Sequence, residues 1–265
     1  MFRRNPRRSE RSLLAWFGLL LLTACFVWLQ VTAVPRSLNR LELPPAQTGP
    51  FAIVVVDAGH GGQDSGTIKN GIMEKDLTLD LARRVERLLR QYGLVPVLTR
   101  ADDTYVSLQD RAAIANSQPE SVFVSIHFDE GGRSAATGIE TYYAAHPVTL
   151  PERVASWLPF LQKTASEPPN LESQSLAGFI QESVVVHTQA TNRGTRPQQF
   201  YVIANVRHPA VLVEGGFLTN KDDVSKLANA DYRDQMAAGI AQGILQYRDT
   251  VLDKQTPLAV DLPAR

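Results

Sequence analysis

The sequence predicts an α/β domain, a single unit with a mostly parallel mixed sheet flanked by helices, and three apolar runs carry that expectation. Phe51-Ala-Ile-Val-Val-Val-Asp57, Ser121-Val-Phe-Val-Ser-Ile-His127 and Ala210-Val-Leu-Val-Glu214 are continuous rather than alternating, as strands buried on both faces require. Segments with apolar residues at helical spacing separate them. The chain of 265 residues is long enough for one large domain or two small ones, and the unbroken alternation favours one.

The chain opens with Arg3, Arg4, Arg7, Arg8 and Arg11, followed by an apolar stretch from Leu13 to about Leu29. A basic lead before such a stretch marks residues 1–34 as a membrane anchor or a signal segment, outside the fold. An uncleaved anchor is favoured, because a spanning helix needs about 17–25 residues and Val31 to Val34 extend the run. Cleavage at Val31-Thr32-Ala33 is a close second. A lipoprotein signal at Leu22-Thr23-Ala24-Cys25 fits poorly, since the apolar run continues past Cys25. Each outcome exports the remainder to the periplasm or the outer face of the membrane, with the arginines on the retained side. Residues 35–50 are proline-rich without periodicity and read as a linker.

The domain is expected over residues 51–250, with a loose tail over 251–265. Its first strand runs near Ala52 to Asp57, and the glycine-rich segment Gly59 to Gly71 reads as a loop. A helix follows from about Asp76, its plausible N-cap, with Leu77, Leu81, Val85, Leu88, Leu89 and Tyr92 at helical spacing and Gly93 as the stop. Next come a strand at Leu94 to Thr99, a helix at Leu108 to Asn116, and strands at Val122 to Ile126 and Ile139 to Tyr143. Pro147 to Pro169 suggests a loop with a short amphipathic helix. Leu176 to Thr188 reads as a helix weakened by Val184-Val185-Val186. Gln199 to Ala204 and Ala210 to Val213 read as strands, and Met236 to Tyr247 as the closing helix.

Four side chains carry the chemistry: His60, Glu74, His127 and Glu214. In open α/β sheets ligands bind beyond the carboxyl ends of strands, and three of these residues follow or end the apolar runs. The only cysteine, Cys25, lies in the N-terminal segment, so a metal in the domain must be held by histidine and carboxylate. Catalytic zinc sites commonly use three protein ligands and keep one position open. His60, on a loop flanked by Gly59, Gly61 and Gly62, Glu74 at the far end of that loop, and His127 at a strand end give a His-Glu-His set for one zinc ion. Glu214 is then free to act as general acid and base.

Blander roles compete at each position. A strand-end histidine often only ties down a loop, and Glu74 could serve the dipole at a helix start. Glu214 is harder to dismiss, because a carboxylate ending Val211-Leu-Val213 risks desolvation. Asp57 reads as an acceptor behind a ligand imidazole or as a loop cap. His146, His187 and His208 read as non-functional, and Ser125 lacks the glycine elbow of a nucleophile. Lysine plus arginine, 27, equals aspartate plus glutamate, 27; that balance argues neither for nor against nucleic acid, and no such partner is expected.

Val55-Val-Asp-Ala-Gly-His-Gly-Gly62, Glu74-Lys-Asp76, Leu98-Thr-Arg100, Ser125-Ile-His127, Gly138-Ile-Glu-Thr-Tyr-Tyr143 and Val211-Leu-Val-Glu-Gly-Gly-Phe217 together resemble the zinc-dependent N-acetylmuramoyl-L-alanine amidases. The resemblance covers roughly Ala52 to Tyr247. It implies one α/β domain, zinc on His60, Glu74 and His127, Glu214 as acid/base, and hydrolysis of the amide joining N-acetylmuramic acid to L-alanine in peptidoglycan, in wall remodelling or cell separation. It also implies an activator protein for those members whose site is blocked by a helical insertion, a place held here by the shorter Pro147 to Pro169. Two departures stand out. Phe128-Asp129-Glu130 replaces the family's small residue and asparagine, and Gly215-Gly216 replaces a bulkier residue and glycine, which should loosen the backbone beside Glu214. The rival readings are a zinc peptidase cutting another stem-peptide amide and a non-catalytic wall-binding regulator.

Overall fold

The computed structural model describes residues 50–129, 136–145 and 170–255. The expected anchor, the linker up to residue 49, the Pro147 to Pro169 helix, His146 and residues 256–265 lie outside them. In chain order the elements are β1 (Ile53–Ala58), the short pair β2 (Ile68–Lys69) and β3 (Ile72–Met73), α1 (Glu74–Gln91), β4 (Val95–Leu98), α2 (Leu108–Asn116), β5 (Ser121–Asp129) and β6 (Ile139–Tyr143). There follow α3 (Leu171–Thr188), β7 (Asn192–Pro197), α4 (Tyr201–Ala204), β8 (Ala210–Phe217), α5 (Lys221–Ala228) and α6 (Ala230–Gln255).

Six strands form one sheet in the order β4-β1-β5-β8-β6-β7. From β4 through β8 neighbours run parallel, β6 is antiparallel to β8, and β7 is parallel to β6. The three apolar runs are the three central strands, buried on both faces. One core lies under α1, α3 and α6, where Val54, Val56, Val124, Ile126, Val211 and Val213 meet Leu81, Ile180 and Ile240. A smaller core under α2 and α4 joins Val55, Phe123 and Leu212 to Ala112, Val202 and Ile203. Side chains alternate between these cores because strand positions alternate faces.

Several expectations are corrected. The first helix begins at Glu74, not Asp76, and its N-cap Met73 contributes no side-chain bond. Backbone satisfies the first amides instead: Glu74 N donates to Thr67 O and Lys75 N to Ser65 O. The segment Gln199 to Ala204 is not a strand. Tyr201–Ala204 is the short helix α4, with Val202, Ile203 and Ala204 buried; so brief an apolar run carries no period that separates the two states. The strand lies one segment earlier, at β7, whose polar sequence and half-exposed side chains suit an edge position. Helix α3 starts at Leu171 behind an Asn170 cap that accepts from Ser173 N. Its valines are tolerated because Val184 is fully buried and packs against α6, where a Cβ at Gly239 would overlap the Val184 backbone at 2.6 Å. Helix α6 is far longer than Met236 to Tyr247 and runs through Gln255, into the stretch expected to be loose.

Two buried polar centres lock the sheet. Asp57, fully buried, accepts from Thr99 Oγ1, Ser125 Oγ and Arg111 Nη1, each at 2.6 Å, tying β1 to β5, to the end of β4 and to α2. Asp223 accepts from Thr137 Oγ1, Gly138 N and Phe217 N, so α5 joins the start of β6 to the end of β8. Breaking a buried ion pair by removing one partner costs about 3–5 kcal/mol. Arg111→Met is therefore expected to lower the urea midpoint of unfolding by that equivalent; an unchanged midpoint would show that the Asp57 pair does not hold the sheet.

Candidate metal centre

The site is built where β1 and β5 end. Leaving β1, the chain places His60 at φ +59, a left-handed conformation that a non-glycine residue adopts at a cost and that clusters at functional sites. Two buried guanidiniums hold it there. Arg100 donates from Nε to Ala58 O at 2.9 Å and from Nη2 to Gly59 O and Lys75 O, both at 2.8 Å. Arg111 donates to Ala58 O at 2.6 Å and to His60 O at 2.7 Å. Three consecutive carbonyls are thus gripped, and Arg100 binds the same loop to the first turn of α1. Lys75 adds a tie from Nζ to Gly62 O at 2.9 Å and to Asp103 Oδ2 at 2.7 Å.

Glu74, 4 % exposed, stands between the imidazoles. Its Oε1 lies 3.1 Å from His60 Nε2 and 3.0 Å from His127 Nδ1, and also accepts from Phe128 N at 3.0 Å. Its Oε2 accepts from Thr67 N at 2.9 Å. Burial pushes this carboxyl up, but hydrogen bonds and charge from His127 and His60 outweigh it and hold the group well below the usual carboxylate range. Burial works against a charged His60, yet Glu74 and Asp64 raise its pKa. Asp64 Oδ2 lies 2.9 Å from His60 Nδ1, which turns Nε2 toward the shared centre in the way a carboxylate orients a ligating histidine.

One ligand atom from each of His60, Glu74 and His127 lies within 4.8 Å of the others, and the two rings meet edge to face at 4.8 Å between centroids. This nitrogen and oxygen set suits zinc. The surroundings are cut to the same shape. A Cβ at Gly59 would overlap the His127 ring, and one at Gly66 would come within 2.5 Å of Glu74 Oε2 and 2.7 Å of the His60 ring. The residues fit the metal they were expected to hold.

Glu214 lies on β8 directly across from His127, in parallel register. The structure thus brings His60, Glu74 and His127 together and puts Glu214 on the adjoining strand. Asp57 has a different place from either expectation: it serves Arg111, Thr99 and Ser125. Asp64 is the carboxylate behind the His60 imidazole, and its position within the glycine-rich loop gave no periodic signal. His187 bonds its own helix at Ser183 O.

The two departures at the site explain each other. Phe128 is fully buried, and a Cβ at Gly215 would sit 2.7 Å from its ring and 2.8 Å from Met236 Sδ. The glycine makes room for the larger aromatic, so the expected loosening beside Glu214 gives way to close packing.

Comparison with known proteins agrees with this geometry. The profile of the N-acetylmuramoyl-L-alanine amidase family matches residues 54–246. The N-acetylmuramoyl-L-alanine amidase LytC of Bacillus subtilis is 38% identical over 194 residues, 73% of this chain and 35% of that protein; the chain therefore spans about a third of that relative. The crystal structure of N-acetylmuramoyl-L-alanine amidase from Clostridium difficile 630 superposes with a TM-score of 0.63 at 35% identity, over 78% of this chain and 100% of that one. The CwlD amidase from Clostridioides difficile, solved in complex with the GerS lipoprotein, gives 0.62 at 26% identity over 74% and 98%. With a family profile spanning the sheet, the glycine-rich loop and all four expected site residues, this chain belongs to the N-acetylmuramoyl-L-alanine amidase family.

Proposed function

We propose that the chain is a zinc-dependent amidase that hydrolyses the bond between N-acetylmuramic acid and L-alanine in peptidoglycan, with His60, Glu74 and His127 holding one zinc ion and Glu214 as the catalytic acid/base. The observation that carries this reading is the convergence of three ligand atoms within 4.8 Å, beside a carboxylate in register with one of them. Bound zinc supplies a Lewis acid that polarises the scissile carbonyl. The chain's own residues do the rest. Asp64 fixes the His60 ring, Glu74 separates the two imidazoles, and the gripped carbonyls of Ala58, Gly59 and His60 keep the loop from relaxing. The Glu214 carboxylate takes the proton of the attacking water and returns it to the departing L-alanine nitrogen.

Export fits this substrate. No helix among the described residues is long and apolar enough to cross a membrane, so delivery rests on residues 1–34, retained as an anchor or cleaved, with residues 35–50 as the linker and 51–250 as the catalytic domain. On this reading the enzyme works in the periplasm or at the outer face of the cytoplasmic membrane, anchored or secreted, in wall remodelling or cell separation. A protein partner is consistent with the complex formed by CwlD.

The metal assignment is checked by elemental analysis of the purified chain: about one zinc per chain is expected in the parent and a marked loss in His127→Ala. Equal zinc in both would remove His127 from the ligand set. For the acid/base, Glu214→Gln is expected to retain zinc while hydrolysis of purified sacculi falls about 10²–10⁴-fold; unaltered turnover would assign the proton transfer elsewhere. Product identity separates the reaction from its rivals. Free stem peptides with intact glycan are expected, whereas cuts within the peptide would make the enzyme a peptidase and no release would make it a binder.

A further inference from the structure

Glu140 is a buried carboxylate that the reaction does not use. It is 2 % exposed and pairs directly with Glu214 across the antiparallel β6–β8 ladder, so the two side chains leave the same face as neighbours. His127, Glu214 and Glu140 therefore form one row across β5, β8 and β6. Two arginines from β7 complete it. Arg193 Nε lies 3.2 Å from Glu140 Oε2, and Arg196 Nε pairs with Glu140 Oε1.

A bulge in β7 makes this arrangement. Asn192 pairs with Ile139 but Thr195 pairs with Thr141 and Arg196 with Tyr142, so β7 carries one extra residue. Without it Arg196 would fall opposite Tyr143, on the other face, because a one-residue slip turns every side chain over. Bulges recur next to active sites, where they re-aim side chains. This one is held by Gly194 at φ +82 and by Asn192 Oδ1, which accepts from Gly194 N and Gln181 Nε2. Arg193 is further fixed over the Phe217 ring at 4.8 Å.

Two guanidiniums thus stand beside the carboxylate pair of Glu140 and Glu214. The Arg196 side chain is 56 % exposed, so its guanidinium faces solvent as well as Glu140. Strands lie about 4.7–4.9 Å apart, which sets these guanidiniums roughly 5–10 Å from Glu214. An extended peptide covers about 3.3–3.6 Å per residue, so that interval reaches one to three residues beyond the scissile amide.

We infer that Arg196, aimed by Glu140 and the β7 bulge and assisted by Arg193, binds a free carboxylate of the stem peptide just beyond L-alanine. The site selects acidic stem peptides over their carboxamides. This rests on the amidase reading of the neighbouring centre and takes the stem peptide to run from Glu214 toward β6 and β7.

The test uses two synthetic N-acetylmuramoyl-L-alanyl peptides that differ only in one group, a carboxylate or a carboxamide on the residue after L-alanine. The zinc-loaded full chain is expected to favour the carboxylate by about tenfold or more in kcat/KM, mainly through KM. Arg196→Ala is expected to lose that preference, and Arg196→Lys to keep part of it. Thermal melts of both variants show whether they fold; should Arg196→Ala unfold, Arg196→Gln carries the same expectation. A parent without preference, or a preference that survives Arg196→Ala and Arg196→Gln, overturns the inference. If the parent cuts neither peptide, the amidase reading falls and takes the inference with it, an outcome distinct from cleavage without discrimination.

Discussion

The grip of Arg100 and Arg111 on the carbonyls of Ala58, Gly59 and His60 is the constraint from which the centre is built. Carbonyls leaving the end of a parallel strand have no ladder partner, and a buried one must find a donor. Here the donors are planar cations whose several N–H groups reach several acceptors at once. The result is a loop stiff enough to keep His60 at positive φ. Arg100 also bonds Lys75 O, so the residue beside Glu74 shares its anchor with the residue before His60. Two of the three candidate ligands, His60 and Glu74, are thereby held by one side chain.

The third candidate ligand, His127, arrives by sheet register. His127 and Asp57 belong to neighbouring strands whose pairing continues to Ala58 opposite Ile126, and the Asp57 bonds to Ser125, Thr99 and Arg111 fix that register just before the strands end. Glu74 then closes the triangle from the start of α1. Its charge is sustained by two imidazoles, a backbone amide on each oxygen and little water. Such a carboxylate is prepared for a cation, because its alternatives are all neutral or positive groups.

Legibility in the sequence followed the strength of the periodic signal. The central strands were readable because burial on both faces leaves an uninterrupted apolar run, and Leu108–Asn116 and Ile139–Tyr143 emerged with the expected bounds. Three of the four candidate site residues, His60, His127 and Glu214, stood out because polar groups ending such runs have no packing reason to be there, whereas Glu74 was marked only by its place at the far end of the glycine-rich loop. Edge strand β7 was not: Asn-Arg-Gly-Thr-Arg-Pro has no apolar face, since its side chains meet solvent and one carboxylate rather than a core. Helix α5 was missed because its start depends on the Asn220 cap and the tertiary bonds of Asp223. Nor could Phe128 and Gly215 be matched from sequence, since nothing local relates positions on separate strands until β5 and β8 are aligned.

The outer strands of the sheet have a consequence for association between molecules. An unpaired strand rim offers its amides and carbonyls to any neighbouring chain. Pro96 interrupts that rim in β4 and Pro197 ends it in β7, while the irregular backbone at Gly194 and the arginine charges spoil the template further. The same kink that turns Arg196 toward Glu140 thus also discourages fibre-like stacking between copies of the chain.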